Sequence, residues 1–193
     1  MQKELLDQLE TPCIVIDMAR TEENVIRMQA EADAAGCRLR PHIKTHKMPL
    51  LPECSWLTAA GITCAKVSEA EVMADGGAED IFIAYPMVGD FRIKRAIALA
   101  GRLKRLILAV DSMECAVPLN EAAKAAGITL EVRLEVDTGA KRTGVQRTKA
   151  AELAKEVHQL SNLNLTGIYT FKSLVYHDEP PRIRSSREPR KAI

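Results

Sequence analysis

The chain has 193 residues, 47% of them apolar, which is enough for one sizeable core and fits one domain or part of a larger protein. The formal net charge of +1 gives no global indication of nucleic-acid or membrane binding. No apolar run is long enough to span a bilayer, and the N-terminus lacks the apolar core of a signal peptide. The five cysteines are odd in number and include no CxxC pair, so we expect reduced thiols in a cytoplasmic protein rather than disulfides or a zinc knuckle.

In chain order, short apolar runs alternate with amphipathic segments. The predicted strands are 13–17, a strand around Pro41, 62–66, 80–84, 105–110, 130–137 and 166–171. The predicted helices open at Thr21, at the capping box Ser68-Glu69-Ala70-Glu71, at Asp111 or Ser112, and at Thr148. Glycines such as Gly36, Gly76, Gly101 and Gly127 end the helices, and Pro118 is expected to kink one of them.

Single helices between successive strands are typical of a parallel α/β sheet. Six strands follow from the one around Pro41 onward, and both an open doubly wound sheet and a (β/α)8 barrel fit this pattern. No glycine-rich phosphate loop follows the first strand, as a dinucleotide fold would require. Polar residues also gather near the C-terminal ends of strands, where barrel enzymes build their sites. The pattern therefore favours a barrel.

The first candidate site is the basic stretch from Arg40 to Lys47. In a strand, Arg40, His42 and Lys44 share one face. A basic face is a poor core element unless it lines a site, because burying an unpaired ammonium is costly. Lys44, at the strand end with His42 and His46 nearby, is a candidate for an amine kept partly neutral, the form that makes a Schiff base. The alternative is an exposed basic edge strand followed by a loop.

The second candidate site is the strand 130–137. Its apolar side chains alternate with Glu131, Arg133, Glu135 and Asp137, which would point inward in a barrel and pair with one another. The alternative is an edge strand of an antiparallel sheet with one wet face. In the turn that follows, Asp137 could simply bond its own backbone.

Both stretches resemble motifs of one family. The stretch from Arg40 to Lys47 looks like the lysine motif of fold-type III pyridoxal-phosphate enzymes of the D-threonine aldolase and D-serine dehydratase branch. Their barrel is similar to the N-terminal domain of alanine racemase. The stretch from Glu135 to Val145 resembles the second motif of that family, and the likeness covers roughly residues 10 to 178. It implies an α/β fold, a partial (β/α)8 TIM barrel of the alanine racemase type with about six of eight strands.

The resemblance also implies roles for single residues. Lys44, the catalytic residue, holds pyridoxal 5'-phosphate as a Schiff base, and Arg142 donates to the phenolic oxygen of the cofactor. Glu135 stands where racemases of this fold keep a carbamylated lysine, and would orient the arginine. His42 is expected among the cofactor-binding residues. Both His42 and His46 could either shuttle a proton or bond a backbone carbonyl.

The implied function is a pyridoxal-phosphate-dependent lyase that acts on a small D-amino acid by retro-aldol cleavage or dehydration. The alternatives are a racemase of the same fold and a truncated, non-catalytic remnant. The expected partner is the D-amino-acid substrate, without nucleic acid or membrane, and a homodimer is compatible with the family. The divalent metal that full-length members use has no ligands in this chain.

The expected domains are an incomplete cofactor-binding barrel at 1–179 and a basic tail at 180–193. The tail is rich in proline and arginine and lacks periodicity, so it is predicted to be disordered. It either binds an acidic partner or results from a truncated or frame-shifted gene. The segment 51–57 carries Pro52 where a helix is expected and does not resemble the family.

Overall fold

The computed structural model describes residues 7–49 and 60–171. Its helices are α1 (Met18–Ala34), α2 (Val67–Asp75), α3 (Asp90–Ala100), α4 (Met113–Ala125) and α5 (Ala150–His158). Its strands are β1 (Ile62–Cys64), β2 (Asp80–Pro86), β3 (Arg105–Val110), β4 (Leu130–Asp137), β5 (Val145–Gln146) and β6 (Leu163–Tyr169). A short 3₁₀ helix spans Ile43–Thr45. None of the helices in these two ranges has the length and apolar character that a bilayer crossing needs.

The strands form a six-stranded sheet in the order β1-β2-β3-β4-β5, and β6 also pairs with β4. The pairings of β1 with β2, and of β4 with β5 and β6, are parallel. Parallel neighbours need a crossover connection, and the helices supply it. The predicted parallel α/β class is therefore confirmed, and β3 and β4 have the predicted bounds.

By its internal contacts the chain divides into two compact units. The first contains the residues up to Tyr85 together with Phe91–Ile107. The second contains Pro86–Asp90 together with the residues from Leu108 onward. Each unit buries apolar side chains of its own strands and helices. In the first these include Ile62, Ile81, Ile83, Met73 and Leu99, and in the second Leu108, Val110, Leu119, Val132, Leu134 and Val157.

The segment before α1 differs from its prediction. Residues 13–17 form no strand, and the side chain of Ile14 is 94% exposed, because none of the described strands pairs with this segment. The helix begins at Met18 instead of after Thr21, because the Asp17 carboxylate accepts a hydrogen bond from the Arg20 N–H at 3.1 Å. The predicted end at Gly36 is confirmed, since this glycine has a φ of 65°.

The predicted strand around Pro41 is also wrong in extent. It is reduced to one parallel bridge between His42 and Thr63, and the chain turns into the 3₁₀ helix at Ile43. The carbonyls of Leu39 and Pro41 still accept hydrogen bonds from Ala60 and Thr63, but Pro41 has no N–H to donate to a ladder. In the segment around Pro41, the alternation of side chains that a strand would give therefore ends before Lys44. The sixth strand of the sheet is instead the short β5, which the sequence did not indicate.

Several helices and strands begin at other residues than predicted, because contacts with other elements set their ends. The residue before α2 is Lys66, which makes no capping bond, so the predicted capping box at Ser68 does not form. Ser112 caps α4 as predicted, and α4 continues through Pro118. The helix predicted from Thr148 begins at Ala150. The last strand begins three residues before Thr166, because its pairing with β4 starts at Leu163 opposite Leu130.

The predicted disordered tail at 180–193 and the domain boundary at 179 lie outside the described residues. The unusual segment at 51–57, with Cys54, lies outside them as well.

Candidate functional site

The basic stretch from Arg40 to Lys47, here called the lysine segment, is tied to the sheet by its first residue. The guanidinium of Arg40 lies 2.8 Å from a carboxylate oxygen of Asp80 on β2 and donates to the carbonyl of Ile62 on β1 at 3.2 Å. Its side chain is only 13% exposed. Ile43 is buried as well. Arg40 therefore anchors the segment, which corrects the prediction that it lines a site together with His42 and Lys44.

Gly61 allows this close approach. Its φ is 94°, and a Cβ atom there would lie 2.5 Å from the carbonyl oxygen of Asp80 and 2.6 Å from Nη1 of Arg40. A side chain at this position would push the lysine segment away from β2.

The two histidines of the segment both accept backbone hydrogen bonds. Nδ1 of His42 accepts from the N–H of Lys44 at 3.2 Å, and Nδ1 of His46 accepts from the N–H of Met48 at 3.1 Å. Burial lowers the pKa of both rings, and the nearby charge of Lys44 lowers the pKa of His42 further. Both rings are thus held neutral near pH 7, as an acceptor Nδ1 requires.

Lys44 lies in the 3₁₀ helix and is exposed. The described residues therefore do not bury this amine, and the expected placement of Lys44 on a strand is corrected. Its place in a cofactor pocket stays a prediction. Lys47 is exposed as well, and its ammonium lies 3.6 Å from the buried carboxylate of Glu69. A cavity of about 270 Å³ beside this pair is lined by Ile43, Lys47, Lys66, Ser68, Glu69 and Val72. Glu69 also accepts from the N–H of Ala65 at 2.9 Å, so it fixes the start of α2.

The second candidate region is the connection between β4 and β5, residues 138–144, here called the arginine loop. At its start Asp137 accepts hydrogen bonds from the backbone N–H groups of Gly139 and Lys141, at 2.8 and 3.1 Å. These bonds lower the pKa of Asp137. The interpretation of Asp137 as a turn residue that bonds its own backbone is confirmed. No inward-facing ion pair is needed to explain the position of its carboxylate.

Glu135 is the buried polar group of this region, with 3% of its surface exposed. One carboxylate oxygen accepts from the Thr143 hydroxyl and the other from the Tyr169 hydroxyl, each at 3.0 Å. Burial and the charge of Glu135 raise the pKa of Tyr169, so the phenol stays protonated and donates. Glu135 thus holds the residue that directly follows Arg142.

Sequence reasoning missed two residues of this network. Tyr169 stands opposite Glu135 in the register of β6 with β4, and Asp111, just beyond β3, accepts from the N–H of Gly144 at 3.1 Å. Both follow or end a parallel strand, and the carboxyl ends of parallel strands meet at one edge of a sheet. That position is the signal by which the sequence could have indicated them.

Arg142 itself is exposed, and its guanidinium carbon lies 4.6 Å from the centre of the Phe171 ring. This is a cation–π contact, which favours one orientation of the guanidinium. Phe171 is a further residue of this region to which the sequence pattern assigned no role in a site. His42 and Lys44 lie in the first compact unit and Glu135 and Arg142 in the second, so a shared pocket for Lys44 and Arg142 stays a prediction.

Over residues 7–49 and 60–171, no group of three or more His, Cys, Asp or Glu side chains is placed to hold a metal ion. The four cysteines of these ranges carry free thiols. The lysine segment contributes a primary amine and two imidazoles, which suit an organic group that carries a carbonyl. The arginine loop separately contributes a guanidinium, which suits an anionic oxygen.

These features define an α/β protein of the barrel class, with its polar groups at the carboxyl ends of the strands. The chain belongs to the family described as the alanine racemase N-terminal domain, whose model matches residues 16–189. This confirms the resemblance to fold-type III enzymes drawn from the two motifs.

Similar proteins support the same branch. The chain is 35% identical over 178 residues to D-threonine aldolase from an Arthrobacter species, covering 89% of this chain and 46% of the relative. It is 34% identical over 197 residues to D-threo-3-hydroxyaspartate dehydratase from a Delftia species, covering 100% of this chain and 51% of the relative. The crystal structure of D-threonine aldolase from Filomicrobium marinum superposes with a TM-score of 0.79 at 35% identity, over 82% of this chain and 43% of that one. The chain thus spans about half the length of these relatives, and its fold is part of the barrel.

Proposed function

We propose that this chain is the cofactor-binding domain of a pyridoxal-phosphate-dependent lyase that acts on a small D-amino acid with a hydroxyl group on the β-carbon. The proposal rests on Lys44, which follows a sheet-bound segment and is flanked by two neutral histidines, in a chain of this family. An aldolase and a dehydratase are both among its relatives, so cleavage and dehydration are both within the proposal.

Within this proposal Lys44 is the attachment point of the cofactor. The bound cofactor supplies an electron sink for breaking a bond at or beside the amino-bearing carbon of the substrate. His42 accepts the backbone N–H of Lys44 on Nδ1 and so carries its proton on Nε2, from which it can donate a hydrogen bond. His46 is held in the same way by Met48 and keeps the turn of the lysine segment closed.

Arg142 would donate to the phenolic oxygen of the cofactor. A guanidinium does not lose its proton at neutral pH, so it keeps that oxygen anionic. Its contact with Phe171 and the hydrogen bond of Thr143 to Glu135 restrict where the guanidinium can point. The role of Glu135 is to hold this loop, in line with the orienting role implied by the resemblance.

Borohydride reduction followed by peptide mapping tests the attachment point. The full chain is incubated with pyridoxal phosphate, reduced, digested and sequenced by mass spectrometry. We expect label on Lys44, loss of label in Lys44→Ala, and retained label in Lys47→Ala, because the Lys47 amine is paired with Glu69. Label on any other lysine, at equal yield in Lys44→Ala, would contradict the assignment.

D-Threonine distinguishes the reaction types. Cleavage yields glycine and acetaldehyde, dehydration yields 2-oxobutanoate and ammonia, and a racemase yields L-allo-threonine. The assay is run with and without Mn²⁺, since a C353A variant of D-threo-3-hydroxyaspartate dehydratase is described in a metal-free form. Formation of L-allo-threonine alone would favour the racemase alternative over the lyase.

The proposal also includes a cytoplasmic location and a homodimer. Sedimentation equilibrium of the full chain, with and without cofactor, gives its mass in solution. A monomer at all concentrations would remove the dimer from the proposal.

A further inference from the structure

The buried Glu135 carboxylate connects the arginine loop to β6, whose Tyr169 lies 34 residues after Glu135 in the chain. Its Oε2 accepts from Tyr169 at the end of β6, and its Oε1 accepts from Thr143 in the arginine loop, each at 3.0 Å. Thr143 is the neighbour of Arg142. The proposed function has no role for Tyr169, and the resemblance named none for it.

We infer that Tyr169 is a positioning residue for the arginine loop, acting on Arg142 through Glu135 and Thr143. The inference rests on the proposed function only in that Arg142 would bind the cofactor. The hydrogen bonds of Glu135 with Tyr169 and Thr143 do not depend on that function. A phenol that holds the carboxylate in one rotamer thereby fixes the position of the Thr143 hydroxyl and of the backbone that carries Arg142.

The register of the sheet places the phenol. Glu135 and Tyr169 are direct partners in the parallel pairing of β4 with β6, so their side chains leave neighbouring strands at the same level. Because Glu135 is 3% exposed, water cannot replace a missing donor at little cost. Hydrogen bonds from hydroxyls to a carboxylate are stronger than bonds between neutral groups. The Tyr169 hydroxyl therefore restrains the carboxylate more than a solvent-exposed contact would.

Two other contacts hold the arginine loop without Tyr169. Asp111 accepts from the N–H of Gly144, and Asp137 accepts from Gly139 and Lys141. Loss of the phenol should therefore make residues 141–145 open more often, while the contacts to Asp111 and Asp137 still close the loop after each opening. A local change, without unfolding of β4 or β6, is the expected consequence.

Hydrogen–deuterium exchange of the full chain without cofactor measures this directly. In Tyr169→Phe we expect the amides of residues 141–145 to exchange about tenfold faster, the equivalent of one strong hydrogen bond. Thr143→Val should do the same, the double variant should add little to either, and Thr143→Ser should restore slow exchange. Thermal unfolding followed by circular dichroism verifies that each variant is folded.

Thr166→Val is the matched control. Thr166 also lies on β6 and donates to a carboxylate of β4, that of Glu131 at 2.7 Å, but this pair is exposed and Glu131 lies four residues before Glu135 on β4. We expect no change at residues 141–145. Equal acceleration in Thr166→Val and Tyr169→Phe, or none in Tyr169→Phe and Thr143→Val, would overturn the inference.

A cofactor measurement separates this inference from the proposed function. If the parent chain gives the visible absorption band of a Schiff base, Tyr169→Phe should shift the pH at which that band titrates, while Thr166→Val should not. If the parent gives no band but the loop still loosens in Tyr169→Phe, the positioning of the loop is supported and the proposed function fails. A normal band with unchanged exchange and titration in Tyr169→Phe would leave the function intact and remove the inference.

Discussion

At the scale of single residues, the arginine loop depends on a glycine as much as on its polar contacts. Gly144 has a φ of 98°, and a Cβ atom there would lie 2.7 Å from the backbone nitrogen of Asp137 and 3.1 Å from the carbonyl carbon of Val136. Only a residue without a side chain lets the loop return this closely to the end of β4 while its N–H reaches Asp111. The polar network and the backbone conformation therefore require each other.

Gly144→Ala should destabilise the chain by about 2–3 kcal/mol, since it combines backbone strain with a steric clash that must displace β4. Gly139→Ala is the control, because Gly139 has a φ of 123° but open space around its Cβ position. We expect it to cost about 1–2 kcal/mol from strain alone. The midpoints of urea unfolding measure both, and equal losses would show that the close approach to Asp137 does not matter.

His42 makes the stability of the fold depend on pH. Burial and the charge of Lys44 lower its pKa in the folded chain, so the unfolded chain binds the proton more readily. Stability is then fully present above the ordinary histidine pKa of about 6.5 and falls as the pH is lowered from there through the folded pKa.

His42→Asn should therefore reduce the loss of stability between pH 7.5 and pH 5. Asparagine retains an acceptor for the Lys44 N–H but carries no titrating group. His46, whose pKa is also lowered by burial, keeps part of the dependence in the variant. Urea midpoints at several pH values give the two slopes, and identical slopes would contradict a neutral folded His42.

At the scale of elements, helix starts depend on which side chain can reach an unpaired backbone N–H. At α4 the Ser112 hydroxyl accepts from the N–H of Cys115 at 3.3 Å. At α2 the serine stands inside the helix, and the Glu69 carboxylate reaches back to Ala65 instead. Two serines that look alike in sequence thus differ in what they contribute.

Ser112→Ala should cost about 1 kcal/mol, the usual effect of removing a helix cap. Ser68→Ala should cost less than about 0.5 kcal/mol, because Ser68 caps nothing and alanine is the better helix former. Thermal unfolding of both variants, compared with the parent chain, measures the difference. A larger loss for Ser68→Ala would mean that the capping box predicted from the sequence forms after all.

At the scale of the whole molecule, the chain spans about half the length of the aldolase and dehydratase relatives, yet each of its two units has a buried apolar core. Among the described residues, each core contains one cysteine. Burial raises the pKa of Cys64 in the first unit to about 12 and that of Cys115 in the second to about 11. The thiols of Cys13 and Cys37 are exposed. The cysteines therefore report on the integrity of each unit separately.

Alkylation of the native chain at pH 8 should modify Cys13 and Cys37 rapidly. Cys64 and Cys115 should react at least ~1000-fold more slowly, since they must wait for an opening that costs about 4 kcal/mol or more. Mass mapping after timed quenching gives each rate, and the same experiment in urea provides the unprotected rate. Fast labelling of Cys64 or Cys115 alone would show that its unit is not stably folded in this chain.

The sequence by itself determined the alternation of strands and helices, the bounds of β3 and β4, the glycine helix ends and the family. The roles that it assigns to Lys44 and Arg142 stay predictions. Those features depend on local periodicity and short motifs, which neighbouring residues specify. Only the tertiary structure decided that Tyr169 and Thr143 donate to Glu135 and that Arg40 binds Asp80. It also decided that Asp17 starts α1 and that the strand at Pro41 shrinks to one bridge. A strand needs a neighbouring strand, and a buried carboxylate takes whichever donors the sheet register brings to it. Except for Asp17, which caps its own helix, and Thr143, which lies eight residues after Glu135, these partners lie far away along the chain and leave no local pattern.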